Sequence, residues 1–415
     1  LPTLVVGLVG ALLGLAAGSL PVGPAVDRLT GTQPTTPAPV PAWTGAWSAS
    51  PQRLTVHSAR NRTVRMVVHP TLGGSAVRIR LSNAFGPAAL VVARASVGLA
   101  AAPGSADLAT GTARPVRFGG AERVTVPIGA RTISDPVSLP VGFGQDLVVD
   151  LHLPRLPATA TGHVSRAQDS FLATGDRAGS ATGAPFRTRF GSWLWLEGVD
   201  VLADPGVTGT VVVLGDSVTE GSRSTRGQSR RWTDALATRI NALPASRRLG
   251  VLNHGIVGNR LLTQRECCGA NEPALSRIDR DVLSQPGVRA VVVEVGLNDL
   301  RHGSSAQEII AGFRQLTQQL RDAGLRVVGA TLTPAGNGQD CAGCLTAEQE
   351  TTRQSVNTWI RSGEVFDGVL DADRAVRDPA RPDQMLASLN AGDHLHPNDA
   401  GYGAIAAALD LSLVD

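Results

Sequence analysis

From Trp43 to about Asp204, hydrophobic and polar positions alternate with a period of two. Val77-Arg78-Ile79-Arg80-Leu81, Arg123-Val124-Thr125-Val126 and Leu147-Val148-Val149-Asp150-Leu151-His152-Leu153 are such runs, separated by Gly, Pro, Asn or Asp. Every second side chain then faces a core, as in half-buried strands. No stretch of three helical turns interrupts the series, so residues 43–204 are predicted to form an all-β sandwich of jelly-roll type. After Pro205-Gly206 the rhythm changes. Thr210-Val211-Val212-Val213-Leu214, Ala290-Val291-Val292-Val293-Glu294-Val295 and Leu325-Arg326-Val327-Val328-Gly329 are nearly continuous apolar runs, the pattern of strands buried on both faces of a parallel sheet. Between them apolar residues recur at spacings of three and four, as in Ile309, Phe313, Leu316 and Leu320, or Val356, Trp359 and Ile360. Strands alternating with helices specify an α/β fold, a doubly wound, flavodoxin-like parallel sheet over residues 205–415.

Upstream of both patterns, residues 1–26 carry no charge, are rich in Leu, Val, Ala and Gly, and are followed at once by Asp27 and Arg28. Such a segment is expected to be a signal peptide or a membrane anchor. Ala16-Ala17-Gly18 supplies small residues of the kind a signal peptidase needs, and no basic cluster follows to stop transfer. Cleavage is therefore favoured over anchoring. Residues 27–42 contain a Pro/Thr-rich stretch that reads as an extended linker. Either reading sets the folded body outside the cytoplasm, secreted or on the outer membrane face.

A length of 415 residues suits two domains, and 42% hydrophobic with 18% charged residues suits a globular protein. All 38 basic residues are Arg, the formal charge is +3, and no Arg run is interleaved with aromatics. No nucleic-acid partner is expected. The four cysteines form two tight pairs, Cys267-Cys268 and Cys341-Ala342-Gly343-Cys344. Adjacent thiolates serve one tetrahedral metal poorly, so disulfides between the two pairs are expected, with both such connectivities open. Trp43, Trp47, Trp193 and Trp195 could stack on sugar rings, but sheet packing is the commoner use.

Chemistry concentrates in four short segments. Gly215-Asp216-Ser217 directly follows the first buried run, and Asp393-His394-Leu395-His396-Pro397 lies near the C-terminus. A serine hydroxyl needs a neutral imidazole to take its proton, and the imidazole needs a carboxylate on its other nitrogen. Asp393 and His396, three apart, can meet locally. Two further loops, Asn253 to Asn259 with Gly258 and Gly296-Leu297-Asn298-Asp299, are predicted beyond the next strands, on the same carboxyl edge where such sheets build their sites. A glycine amide and an Asn carboxamide suit a developing oxyanion. Pro397 is expected at the first position of the last helix.

With these four blocks the chain resembles the SGNH (GDSL-type) hydrolase family, over about Thr208 to the C-terminus. The resemblance implies Ser217 as nucleophile and His396 as general base oriented by Asp393. It implies an oxyanion hole of the Ser217 and Gly258 N–H groups and the Asn298 side chain, and it leaves His394 as a bystander. The preceding sandwich is similar to the amino-terminal domain of a secreted two-domain branch related to xylan-cluster acylesterases. An ordinary α/β-hydrolase elbow would need Gly where Thr219 stands. A metallohydrolase would have only Asp216, His254, Asp299 and His394 to draw on, so neither metal nor cofactor is expected. The expected activity is extracellular serine esterase or acylhydrolase, acting on short acyl groups of a carbohydrate, with an acylated polysaccharide as candidate substrate and a monomeric state. Lipase or arylesterase activity is the alternative, and a glycan- or cell-wall-binding protein is the rival of another class.

Overall fold

The computed structural model describes residues 42–164, 167–264, 272–336 and 344–415. The expected signal or anchor segment, nearly all of the linker, and Cys267, Cys268 and Cys341 lie outside the described residues. Residues 40–415 form one compact unit.

Up to Leu202 the strands that pair are all antiparallel. A six-stranded sheet is built around Ala59–Val68 and Leu147–Leu156, which pair over their whole length with Val149 opposite Met66. A four-stranded sheet contains Trp43–Ser48, Leu196–Leu202, Val77–Ser82 and Arg131–Ile133. Alternate apolar residues from these sheets, among them Val64, Met66, Ile79, Leu81, Val149 and Val199, join one buried core, which is the driving term that holds the layers together. Trp47 and Trp193 meet edge to face in it, with centroids 4.9 Å apart. The simple alternation of Trp193 and Trp195 on one strand does not hold. Trp195 has φ +59°, so the strand Ser192–Leu194 ends before it and Leu196–Leu202 begins after it in a different sheet.

From Gly209 onward the sheet is parallel: β1 (Gly209–Gly215), β2 (Leu249–Gly255), β3 (Val288–Glu294), β4 (Arg326–Ala330) and β5 (Gly368–Leu370), in spatial order 2-1-3-4-5. Its helices are α1 (Ser217–Glu220), α2 (Trp232–Asn241), α3 (Leu297–Arg301), α4 (Ala306–Asp322), α5 (Ala347–Ser362), α6 (Ala372–Val376) and α7 (Asp399–Ala408). Successive strand residues face opposite sides, so Val212, Leu214, Val291 and Val293 pack with Ile309, Phe313, Leu316 and Leu320 of α4. Val211, Val213, Ala290 and Val292 pack on the other face with Trp232, Leu236 and Ile240 of α2 and Tyr402 and Ile405 of α7. The spacings of three and four in α4 are the buried stripe, and Ser305 with Glu308 closes its start as a capping box.

β2 is the outer strand, and the antiparallel half packs against it. An added Cβ on Gly250 would lie 2.1 Å from the Gly45 carbonyl, so the approach needs glycine. The Thr71 hydroxyl accepts from the Val251 N–H at 2.9 Å and lies 2.8 Å from the Ala46 carbonyl.

Candidate active site

At the end of β1 the chain must turn sharply. An added Cβ on Gly215 would meet Thr219 Oγ1 at 2.2 Å and the Glu294 carbonyl at 2.6 Å. Asp216 Oδ1 then accepts from the Val218 N–H at 2.9 Å and starts α1, whose first residue is Ser217. Its hydroxyl lies 2.9 Å from His396 Nε2, and His396 Nδ1 lies 2.8 Å from Asp393 Oδ2. The other carboxylate oxygen, Oδ1, accepts the His396 N–H at 2.8 Å and the Leu395 N–H at 3.2 Å. One aspartate thus fixes both the ring and the backbone of the histidine. Burial alone would raise the Asp393 pKa, but the His396 bonds outweigh it and hold the carboxyl well below the usual range. With Nδ1–H given to that carboxylate, Nε2 is left as the acceptor facing the serine.

His394 has φ +58° and its N–H turns to Asn390 Oδ1 at 3.3 Å, away from this chain of contacts. Pro397 is not the first residue of the last helix, as its sequence position suggests. Asn398 intervenes as the cap, its Oδ1 accepting from the Gly401 N–H at 3.0 Å, and α7 begins at Asp399.

Gly258 sits beyond β2 with φ +73°, a left-handed conformation that favours glycine. Among the described residues, no acceptor is recorded for the Ser217 and Gly258 N–H groups. Asn298, in the first turn of α3, differs. Its Nδ2 donates to Asp216 Oδ2 at 3.1 Å and to the Asn259 carbonyl at 3.0 Å, while Arg301 Nη1 donates to its Oδ1 at 3.2 Å. Both amide hydrogens are thus engaged in this state.

The roles of several groups around these loops escaped sequence reasoning, among them Asp299 and His254, which the sequence offered only as weak metal-ligand candidates. Asp299 accepts from the Leu261 and Leu262 N–H groups at 2.8 and 3.0 Å and ties the glycine loop to α3. Glu294, at the end of β3, accepts from Thr219 Oγ1 at 2.8 Å beneath the serine turn. Burial pushes its pKa well up and that of Asp216 up to about 6. Arg277 is fully buried and donates to the Gly215 carbonyl at 3.0 Å, the His254 carbonyl at 2.9 Å, Asn259 Oδ1 at 2.9 Å, Ser50 Oγ at 3.0 Å and Asp281 Oδ2 at 2.6 Å. It grips the ends of β1 and β2 together with a hydroxyl of the antiparallel half. The spacing of Asp281 four residues on was its one sequence signal. His254 lies in β2 itself, its Nε2 2.7 Å from Ser48 Oγ and its Nδ1 3.1 Å from Ser50 Oγ. Burial lowers its pKa to about 3, so it stays neutral.

The doubly wound sheet thus gathers a serine, a histidine and an aspartate in one continuous chain of contacts at its carboxyl edge. Residues 213–404 match the model of the GDSL-like lipase/acylhydrolase family, and this part of the chain is similar to that family. No curated protein matches the chain significantly. Among solved structures the chain is similar to a protein of the G-D-S-L family from Desulfitobacterium hafniense, at 18% identity, covering 48% of this chain and 96% of that one with a TM-score of 0.37. It is also similar to a GDSL-like lipase from Bacteroides thetaiotaomicron, at 16% identity, 49% and 87% coverage and a TM-score of 0.36. A catalytic mutant of Axe2, an acetylxylan esterase from Geobacillus stearothermophilus, matches at 18% identity, 49% and 93% coverage and a TM-score of 0.36.

Proposed function

We propose that this protein is an extracellular serine esterase that removes short acyl groups from a carbohydrate through an acyl-enzyme. The single observation that carries the reading is the continuous chain from Ser217 Oγ to His396 Nε2 at 2.9 Å and from His396 Nδ1 to Asp393 Oδ2 at 2.8 Å. Ser217 Oγ attacks the acyl carbon while its proton passes to His396 Nε2. The C–O bond to the alcohol then breaks, and the leaving oxygen takes that proton. Water gives a proton to the same nitrogen and attacks the acyl carbon; the bond from that carbon to Ser217 Oγ then breaks, Oγ takes the proton back, and the carboxylic acid leaves. Developing negative charge on the carbonyl oxygen is met by the Ser217 and Gly258 N–H groups and by Asn298 Nδ2 once it leaves Asp216.

The preference for a hydrophilic alcohol is supported by the polar rim around the triad, where Arg223, Asp393, Thr225 and Asp399 pair with one another. It is also supported by an aromatic content of 4%, which is sparse for a deep lipid tunnel. The charge-free segment 1–26 supports export. Disulfides between the two cysteine pairs fit that location.

A fluorophosphonate should label Ser217 in the folded protein, and Ser217→Ala should abolish both the adduct and most turnover of a short p-nitrophenyl ester. An unlabelled serine in a protein without turnover would favour a binding protein, and an alanine variant with wild-type turnover would exclude Ser217 as the nucleophile. Acetyl release from acetylated xylan, compared with a series of aryl esters of rising chain length, separates carbohydrate from lipid preference.

A further inference from the structure

The antiparallel half has no residue in the triad, yet it touches the triad through one loop. After α1 the chain runs from Gly221 to Arg231 before α2 begins. Arg223, near the start of this loop, donates through Nε to Asp393 Oδ2 at 2.9 Å. This is the same carboxylate oxygen that lies 2.8 Å from His396 Nδ1. Arg223 also has φ +75°, a conformation that few residues other than glycine adopt. Such strain persists only where the surroundings impose it.

The surroundings do so from two sides. On the hydrolase side Tyr402 of α7 donates its hydroxyl to the Ser222 carbonyl at 2.6 Å, and Thr225 N–H and Oγ1 donate to Asp399 at 2.8 and 2.6 Å. On the other side Arg226 Nε donates to Asp169 Oδ1 at 2.7 Å and its Nη2 to the Gln168 carbonyl at 3.2 Å. The Gly227 N–H donates to the Ala167 carbonyl at 2.8 Å. Asp169 belongs to the antiparallel half, is buried, and also receives Arg189 Nε at 2.7 Å. The loop is therefore a bridge whose far abutment is the sandwich.

We propose that Arg223 is a positioning residue of the triad, and that Asp169 of the sandwich holds the loop that presents it. The proposal rests on Ser217, His396 and Asp393 acting as read above. Two physical consequences follow from the contact. A second donor on Oδ2 restricts rotation of the carboxylate, so the imidazole stays aimed at the serine. A fixed cation on the same carboxylate oxygen also offsets part of its negative charge, and with it the electrostatic support that the carboxylate gives an imidazolium. Arg223 is 63% exposed, so this second effect is small and screened by salt. Other charged or titratable groups on the elements around the histidine include His394 on its own loop, Asp216 beyond β1, Glu220 on α1, Glu294 at the end of β3, Asp299 and Arg301 on α3, and Asp399 and Tyr402 on α7. All remain in the variants below.

The test is the pH dependence of kcat and kcat/KM for a short aryl ester, at low and high salt, with thermal midpoints recorded for each variant. Arg223→Gln should move the acidic limb of kcat/KM upward by about 0.3–0.5 pH unit at low salt. It should also lower plateau kcat by about 3- to 10-fold with KM little changed. Arg223→Lys keeps the charge and should leave the limb near its wild-type position. Asp169→Asn should repeat the direction of Arg223→Gln with smaller amplitude. An Arg223→Gln enzyme with wild-type limb and kcat would overturn the proposal, as would a limb shift equal in Arg223→Lys. An Asp169→Asn enzyme indistinguishable from wild type would remove the part assigned to the sandwich. If Ser217→Ala still abolishes labelling while Arg223→Gln changes nothing, the serine mechanism stands and only this proposal falls.

Discussion

Two polar assemblies meet on strands β1 and β2, and they are built in opposite ways. The triad joins Asp393 and His396 across three residues of one loop, on a partly open edge. The seam beneath it joins Ser48 and Ser50 to His254 and Arg277 across 204 to 227 residues, and His254 and Arg277 are fully buried. A reacting group must be reached by substrate and must change charge during the cycle, so water and mobility are tolerated there. A buried seam has neither, and each of its donors and acceptors must find a fixed partner. The proposed chemistry therefore sits in the less buried assembly, while Arg277 of the more buried one donates to the Gly215 carbonyl, two residues before Ser217.

Removing Arg277 is the strongest way to probe that contrast. Arg277→Leu strips partners from Asp281, from the Gly215 and His254 carbonyls and from Asn259 Oδ1, and Arg280 Nε at 2.8 Å remains as a partial partner for Asp281. A loss of about 3–5 kcal/mol in unfolding free energy is expected, measured by urea denaturation. If stability holds but kcat collapses, the seam is more catalytic than structural. Asn298→Ala should behave inversely, with stability little changed and kcat lower by about 100- to 1000-fold, or about 3–4 kcal/mol. Since Asn298 Nδ2 already donates to Asp216 in this state, the loss should sit at the low end of that range.

How much of each assembly the sequence disclosed follows from the same contrast. That Ser217, His396 and Asp393 come together, with Asn298 beside Asp216 and Asn259, was legible because these residues stand in short motifs. The two sheet types were legible because the pattern changes period near Pro205. Arg277, His254, Glu294 and Arg223 were not. Their partners lie far away in the chain, and nothing local distinguishes a buried Arg with five partners from a surface one. Asn398 as helix cap in place of Pro397 was a local misreading, since two capping signals stood side by side.

Acid provides the mildest probe of the seam. Burial lowers the pKa of His254 to about 3 and that of His163 to about 4. Each lies below its unfolded value near 6.5, so each contributes stability that is complete above pH 6.5 and is lost as pH falls toward the folded value. Asp216 and Glu294 have raised pKa values and the opposite sign: they favour the folded state at low pH and disfavour it as pH rises. The share of His254 is therefore read as a difference between proteins. His254→Gln should lose about 2–3 kcal/mol less than wild type between pH 7.5 and 4.5, by urea denaturation at both values. Equal losses would mean that His254 takes up no proton on unfolding.

The Thr71 hydroxyl at β2 has one more consequence. Parallel sheets end in strands whose unpaired amides and carbonyls invite another chain, and proteins that leave such borders open tend to assemble into fibres or swap segments. Here a side-chain oxygen 2.9 Å from both the Val251 N–H and its carbonyl occupies the place a sixth strand would take. Gly45 pressed against Gly250 leaves no room beside it. The antiparallel half thus covers the border of the parallel sheet at β2, where a further strand would otherwise pair.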